Sequence, residues 1–279
     1  MATGVILSGS DFVSGSLADA PWNSSTKDII YFDGGITGSA QQNSLLSSPI
    51  TTGGTNCRKF VHDGTNRPYG FYLVSSSIDS GIYAGPYSTS KAYSVRAWLR
   101  RQSGNALNTG IGIILRNKFD GTTSTIADSA EVWNIIPGGY TLQMANRGAF
   151  FNPGNSDNYL YLQVRDPDNP ASAGLTAIKC SGSGANDSYS FDEWHRVRVD
   201  LIPVAGLGDQ INVYTSSAGD VSSGNETWEE VANTFVAFDD DAYVEPSDSN
   251  SAMGFYAFSQ STGGQDAYID LFEIAVEDI

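Results

Sequence analysis

Closely spaced carboxylates are the first residues in the sequence that could do chemistry. A retaining glycosidase needs two carboxyl groups about 5–5.5 Å apart, and on a regular strand acids two or four positions apart share a face. Asp270 and Glu273 are three positions apart and Asp192 and Glu193 are adjacent, so each pair is predicted to point to opposite faces. His195 has apolar inward neighbours and is interpreted as a core histidine. The pattern disfavours hydrolysis and predicts no catalytic residues.

A dense acidic run forms a second candidate site. Five carboxylates fall within ten residues, namely Asp239, Asp240, Asp241, Glu245 and Asp248. Like charges at this spacing repel one another unless solvent or a cation separates them. The run therefore predicts an acidic interaction patch for a basic partner, with a solvated loop or a cation site as the alternatives.

Aromatic side chains beside polar ones are candidates for sugar binding, because a ring face stacks on the C–H groups of a sugar. Trp98 alternates with Arg96 and Arg100, on the side of its strand opposite the apolar positions. Tyr83 and Tyr87 lie together in a Gly- and Pro-containing loop. We predict these three aromatic residues as ligand-binding candidates, with core packing as the alternative for Trp98.

The elements that must position these residues are strands. Apolar residues recur with period two, and Gly- and Ser-rich clusters separate the short apolar runs, as in β proteins. The segment from Trp228 to Phe235 fits either a short helix or a strand entry. The predicted strands include Tyr93–Arg100, Ile111–Arg116, Glu131–Ile136, Tyr140–Met144, Tyr159–Arg165, His195–Leu201, Gln210–Thr215, Met253–Phe258 and Tyr268–Val276.

Charge is distributed unevenly along the 279 residues. The formal net charge is −16 and the pI about 4.2, which disfavours nucleic-acid binding because that needs clustered Lys and Arg. Residues 187–279 hold 19 acidic and two basic residues, a net charge of −17. The asymmetry predicts an interaction surface or a solvated acidic face in the last third. Apolar runs are far below the ~20 residues that span a bilayer, so membrane insertion is not expected.

The two cysteines, Cys57 and Cys180, are too few for a disulfide framework. Reduced, partly buried thiols and a single bridge both fit the sequence, and the first is the preferred interpretation. The first residues lack the basic and apolar regions of a secretory signal, so we expect a protein that does not follow that route.

Several stretches, taken in order, resemble the concanavalin A-like lectin/glucanase family in its laminin-G-like form. The resemblance implies an all-β jelly-roll sandwich of two curved antiparallel sheets, formed by one domain over residues 1–279 with residues 1–9 as an N-terminal arm. The stretches that carry it are Ser10–Leu17, Trp22, Tyr31–Gly38, Phe191–Leu201, Ile211–Tyr214, Met253–Phe258 and Ala267–Ile274.

The family resemblance also bears on metals. Relatives with this fold often bind Ca²⁺ through carboxylates and carbonyls, the ligands that this ion prefers, and Asp270 occupies a comparable position. If the face of Asp270 is buried, the carboxylate needs a partner or an ion; if it is solvated, it needs neither. No cofactor is predicted to be required, and Ca²⁺ at Asp270 is a weaker hypothesis.

The resemblance and the missing catalytic pattern together predict a non-enzymatic structural protein of a bacteriophage virion, as a head decoration, fibre or tail component. Its expected partners are copies of itself, other virion proteins and a host-surface glycan. The expected location is the virion, assembled in the host cytoplasm. The alternative is an extracellular carbohydrate-binding or adhesion module, and a glycan-active hydrolase is the third, disfavoured class.

Overall fold

Antiparallel β-strands account for most of the chain that the computed structural model describes. The described residues are 2–7, 29–34, 36–42, 56–62, 69–74, 91–103, 109–118, 139–145, 159–165, 175–180, 189–216, 227–237, 251–259 and 266–278. They contain β1 (Ala2–Leu7), β2 (Ile29–Gly34), β3 (Ile36–Gln42), β4 (Asn56–His62), β5 (Tyr69–Val74), β6 (Lys91–Arg101), β7 (Thr109–Lys118), β8 (Gly139–Ala145), β9 (Tyr159–Arg165), β10 (Leu175–Cys180), β11 (His195–Val204), β12 (Gly208–Ser216), β13 (Trp228–Ala237), β14 (Ser251–Ser259) and β15 (Ala267–Asp278).

The strands form two sheets. Sheet one has the order β13-β12-β11-β6-β15-β4-β3, with β1 also pairing with β15, and sheet two has the order β10-β9-β8-β7-β14-β5-β2. Residues 2–7, within the predicted N-terminal arm, form β1, and Ala2 lies opposite Val276. The predicted all-β sandwich of two antiparallel sheets is confirmed. The single domain over residues 1–279 stays a prediction.

The core lies between the sheets and follows the predicted alternation. In β6 the inner residues are Tyr93, Val95, Ala97 and Leu99, all buried in one apolar cluster with residues of both sheets. Phe60 of β4 meets Phe255 of β14 across the sandwich, with ring centroids 6.1 Å apart. Burial of these side chains provides the main driving force for closing the two layers.

The ambiguous segment after residue 227 is a strand. β13 pairs with β12 along its whole length, with a register shift beside Val213 and Tyr214. This bulge explains the mixed pattern in the sequence, because one extra residue shifts the alternation between faces. The predicted strand Glu131–Ile136 lies outside the described residues.

A tight turn joins β11 to β12. Gly206 has a φ of 69° and Gly208 a φ of 155°, and both values favour glycine over other residues. A Cβ atom at Gly208 would lie 2.2 Å from the carbonyl oxygen of Val236. The turn therefore fixes the register of β12, in which Asp209 lies opposite Pro203 of β11.

Neither cysteine forms a disulfide, and both are buried, in separate clusters. Burial raises the pKa of the Cys180 thiol to about 12, against a weaker opposing effect of a backbone hydrogen bond from Leu162. Cys180 is therefore an inert core thiol. Within the described ranges, no helix has the length and apolar character needed to cross a membrane.

A polar bond crosses the core. The Tyr140 hydroxyl of β8, in sheet two, donates to Oδ2 of Asp209 in β12, in sheet one, at 2.7 Å. Asp209 is fully buried, so its carboxylate depends on donors inside the protein. This bond ties the two layers at one position.

Replacing Tyr140 with Phe should destabilise the protein. The change keeps the ring but leaves the buried Asp209 carboxylate with one donor fewer, which costs about 1–3 kcal/mol of unfolding free energy. Urea unfolding measures the loss. A double-mutant cycle with Asp209→Asn provides the control, since the two effects should not add. Full additivity, or wild-type stability of Tyr140→Phe, would contradict the role given to this bond.

Candidate functional site

The outer side of sheet one carries charged and aromatic side chains. Strand alternation produces this side, because each residue between two core positions points away from the core. In β11 the core residues Val197 and Val199 alternate with Arg196 and Arg198. We call this side the outer face. The register places on it Arg96, Trp98, Arg196, Arg198, Asp200, Gln210, Asn212, Tyr214, Trp228, Glu230, Asn233, Phe235 and Glu273.

Glu273 of β15 connects three strands through one carboxylate oxygen. Its Oε2 accepts a hydrogen bond from Nη2 of Arg196 at 2.5 Å and lies 2.9 Å from Nε of Arg96. Glu273 and Arg196 are buried. Each charge has lost its water, so each depends on the other for compensation.

The Arg196 guanidinium lies between two tryptophans. Its Cζ is 5.8 Å from the ring centroid of Trp98 and 6.0 Å from that of Trp228. Cation–π attraction of this kind is strongest for tryptophan. The Glu273 carboxylate therefore positions Arg196, and Arg196 in turn packs between Trp98 in the middle of the sheet and Trp228 at its edge.

Trp98 packs inside this layer. The side chain is on the predicted side of β6, opposite Leu99, but it is only 1% exposed. It belongs to a buried cluster with Cys57, Trp194 and Tyr268. A covered ring offers no surface for a sugar to stack on, so the structure corrects the expectation of an open Trp98 platform and fits the alternative, packing.

The accessible part of the outer face lies on β12 and β13. Tyr214 and Trp228 are half-buried, and Phe235 is 47% exposed. Phe235 lies opposite Gln210 in the register, and Trp228 lies opposite Ser216. β13 is the edge strand of the sheet, so these three rings border solvent.

Side-chain amides fill the space between the aromatic positions. Nε2 of Gln210 donates to Oδ1 of Asn233 at 2.6 Å and to Oδ1 of Asn212 at 2.9 Å. Asn233 is exposed and the other two side chains are half-buried. The side-chain oxygens of Asn212 and Asn233 accept hydrogen bonds from Gln210, and this fixes the orientation of both amides. Their N–H groups therefore point away from Gln210.

A paired arginine supports the Tyr214 ring. Nε of Arg198 donates to Oδ1 of Asp200 at 2.8 Å, and Nη2 contacts the second oxygen. The guanidinium carbon lies 4.5 Å from the Tyr214 centroid and 5.6 Å from that of Trp228. Burial raises the pKa of Tyr214, and the Asp200 charge adds to this. The phenol is therefore protonated at neutral pH and can donate a hydrogen bond.

The remaining predicted site residues stay predictions. Tyr83, Tyr87 and the acidic patch (Asp239, Asp240, Asp241, Glu245 and Asp248) lie outside the described residues.

Asp270 lies opposite Trp98 in the register of β15 with β6, but its side chain is not among those that the structure describes. A register shift separates Asp270 from Glu273, so the odd-spacing argument, which assumes a regular strand, does not apply between them. Among the described residues no cluster of three His, Cys, Asp or Glu could hold a metal, and Ca²⁺ at Asp270 stays a prediction.

Sequence reasoning missed Tyr214, Trp228 and Phe235 as site residues. The alternation in Gln210–Thr215 already placed Asn212 and Tyr214 on the outer side. Trp228 and Phe235 could not be assigned a face, because the segment containing them fitted both a helix and a strand.

Comparison with known proteins identifies the fold. No protein-family model matches the chain, and no curated protein sequence matches it either. The PL-14 alginate lyase from Aplysia kurodai has a TM-score of 0.55 at 13% identity, over 99% of this chain and 100% of that chain. The exoplasmic/lumenal domain of VIP36, in its Ca²⁺/Man3GlcNAc-bound form, has a TM-score of 0.52 at 10% identity, over 99% of this chain and 90% of that chain. The chain has the concanavalin A-like jelly-roll fold, as the sequence resemblance implied.

Replacing Glu273 with Gln should destabilise the protein by about 3–5 kcal/mol, because it leaves Arg196 and Arg96 without their shared carboxylate. Chemical unfolding measures the difference. Glu277→Gln is the matched control, since Glu277 is exposed on the same strand and its loss should change stability by less than about 0.5 kcal/mol. Equal stability of the two variants would show that the buried ion pairs do not organise this face.

Proposed function

We propose that this protein binds a neutral glycan on the outer face of β12 and β13, without hydrolysing it. The observation that carries the proposal is the combination of Tyr214, Trp228 and Phe235 with oriented amides on one accessible surface. Sugar sites combine aromatic rings with a few placed polar groups, which fix the orientation of the ligand.

The length of the surface favours an oligosaccharide or polysaccharide over a single sugar. Gln210 and Ser216 are six residues apart on β12, and a rise of about 3.3 Å per residue places them about 20 Å apart. Phe235 lies at the Gln210 end and Trp228 at the Ser216 end. Several linked sugar rings are needed to contact both ends.

Charge favours a neutral ligand over an anionic one. The two arginines of β11 on this face are ion-paired, Arg198 with Asp200 and Arg196 with Glu273. Glu229 and Glu230 are exposed on β13 and would repel an acidic polysaccharide. The VIP36 domain, whose structure contains the neutral oligosaccharide Man3GlcNAc, supports this choice more than the alginate lyase does.

The same ion pairs support binding without hydrolysis. An acid catalyst must hold a proton that it can transfer to the leaving group. Asp200 and Glu273 are both buried, and arginine partners occupy their carboxylate oxygens. Neither is suited to the acid role.

Removing an aromatic ring from the surface should weaken binding. We expect Phe235→Ala and Tyr214→Ala each to lower affinity for a neutral polysaccharide about tenfold, or about 1.4 kcal/mol. A glycan array followed by calorimetry measures this. Leu207→Ala is the matched control, because Leu207 is an apolar side chain that is 61% exposed in the β11–β12 turn. A flat array, or equal affinity of all variants, would contradict the proposal.

We further propose that this glycan-binding protein is a structural component of a bacteriophage virion that is assembled in the host cytoplasm. Within the virion it associates with its own copies, and it contacts the host surface. The last third of the sequence is acidic and the remainder is nearly neutral. This difference supports two separate interaction surfaces, one for copies of the protein and one for the host. Mass spectrometry of purified particles tests this role. Particles that lack the chain would overturn it and leave the glycan proposal intact.

A further inference from the structure

A cavity of about 310 Å³ lies where β11 begins and β12 ends, beside the start of β13. It is open on one side, and it is separate from the amide groups described above. The lining residues used below are Tyr189, His195, Thr215, Ser216, Thr227 and Glu229. The volume is at the lower end of the range for small-molecule sites, which suits one sugar ring.

Strand register brings these residues together. Thr215 lies opposite Glu229, and Ser216 lies opposite Trp228. Thr227 and Glu229 flank Trp228 in sequence, so the cavity adjoins the end of the outer face that carries Trp228. Ser216 and Arg196 alternate onto the outer face and also line the cavity. A chain that bends around this end of the sheet therefore reaches the cavity.

His195 has a defined tautomer in this cavity. Its Nε2 lies 2.8 Å from the Ser190 carbonyl oxygen, which can only accept, so Nε2 carries the proton. The Tyr189 ring packs against the imidazole at 5.1 Å and 83°. Burial lowers the pKa of His195, although the Ser190 carbonyl and the Glu193 charge oppose this. Nδ1 of the neutral ring is therefore a hydrogen-bond acceptor.

The donors and acceptors in the cavity match a polyhydroxylated ligand. The Glu229 carboxylate and His195 Nδ1 accept hydrogen bonds, while the hydroxyls of Thr215 and Thr227 both donate and accept. Sugar hydroxyls can donate to Glu229 and His195, and they can accept from Thr215 and Thr227. An anionic group would be repelled by the exposed Glu229 carboxylate, whereas Arg196, which also lines the cavity, is paired with Glu273.

We propose that this cavity binds a single neutral sugar unit, at the end of the glycan held by the outer face. Glu229 and His195 accept hydrogen bonds from its hydroxyls, and Thr215 contributes a hydroxyl contact. The proposal rests on the proposed glycan-binding function, and it adds a subsite for the last sugar of the chain.

The test follows the ring nitrogens of the histidines by ¹H–¹⁵N NMR, with D-mannose, D-glucose and D-galactose as separate probes. The chain has two histidines, so His62 is an internal reference. We expect the Nε2-protonated tautomer for His195, and we expect one of the sugars to shift its Nδ1 signal while leaving His62 unchanged. A different tautomer, or no shift of His195 with any probe, would overturn the proposal.

Substitutions distinguish sugar binding in the cavity from polysaccharide binding on the outer face. Glu229→Gln and Thr215→Val should each weaken binding of the sugar that shifts His195 at least fivefold. Glu277→Gln is the matched control, because Glu277 is an exposed carboxylate on β15 that lies outside both the cavity and the surface of β12 and β13. Phe235→Ala should weaken polysaccharide binding but leave single-sugar binding unchanged.

The outcomes distinguish the two proposals. Loss of polysaccharide affinity in Phe235→Ala, with wild-type binding in Glu229→Gln and Thr215→Val, would overturn the cavity and retain the outer face. Single-sugar binding that depends on Glu229, together with normal polysaccharide binding in Phe235→Ala and Tyr214→Ala, would retain the cavity and overturn the outer face.

Discussion

The pairing of Glu273 with two arginines is the interaction on which the outer face depends. Burying a carboxylate and a guanidinium costs several kcal/mol for each ion, and only close pairing with good geometry compensates for this. Here a single oxygen serves Arg196 and Arg96 from two strands. Because the guanidinium of Arg196 then lies over Trp98 and Trp228, the ion pair sets the positions of aromatic rings in the middle and at the edge of sheet one.

Sheet one has two differently built sides. Its inner residues are apolar and close the sandwich, while its outer residues form an ion-paired and aromatic layer. Trp98, Arg196, Asp200 and Glu273 of that layer are buried, while Phe235 and Glu230 of β13 are exposed. Exposed Glu229 and Glu230 on this edge strand also discourage pairing with another sheet, since charged side chains protect open edges. The sheet edge therefore provides an accessible binding surface at a low risk of aggregation.

Period-two alternation was enough to predict the core-facing residues of β6 and β11, because one buried apolar side determines a strand's register. It failed where strands are irregular. The shift between Asp270 and Glu273 breaks the odd-spacing rule, and the shift in β13 made Trp228 look helical. The burial of Trp98 could not be predicted from the sequence either, because alternation predicts which side a residue faces but not whether other side chains cover that side.

An acidic last third of the sequence is physically compatible with binding a neutral ligand. Carboxylates accept hydrogen bonds from sugar hydroxyls and repel anions, so in the proposed subsite Glu229 favours a neutral sugar over an anionic one. Asp200 and Glu273 are buried and paired with arginines, so neither carboxylate is placed to transfer a proton to a glycosidic oxygen. The contacts that stabilise the outer face thus also suit it to binding rather than catalysis.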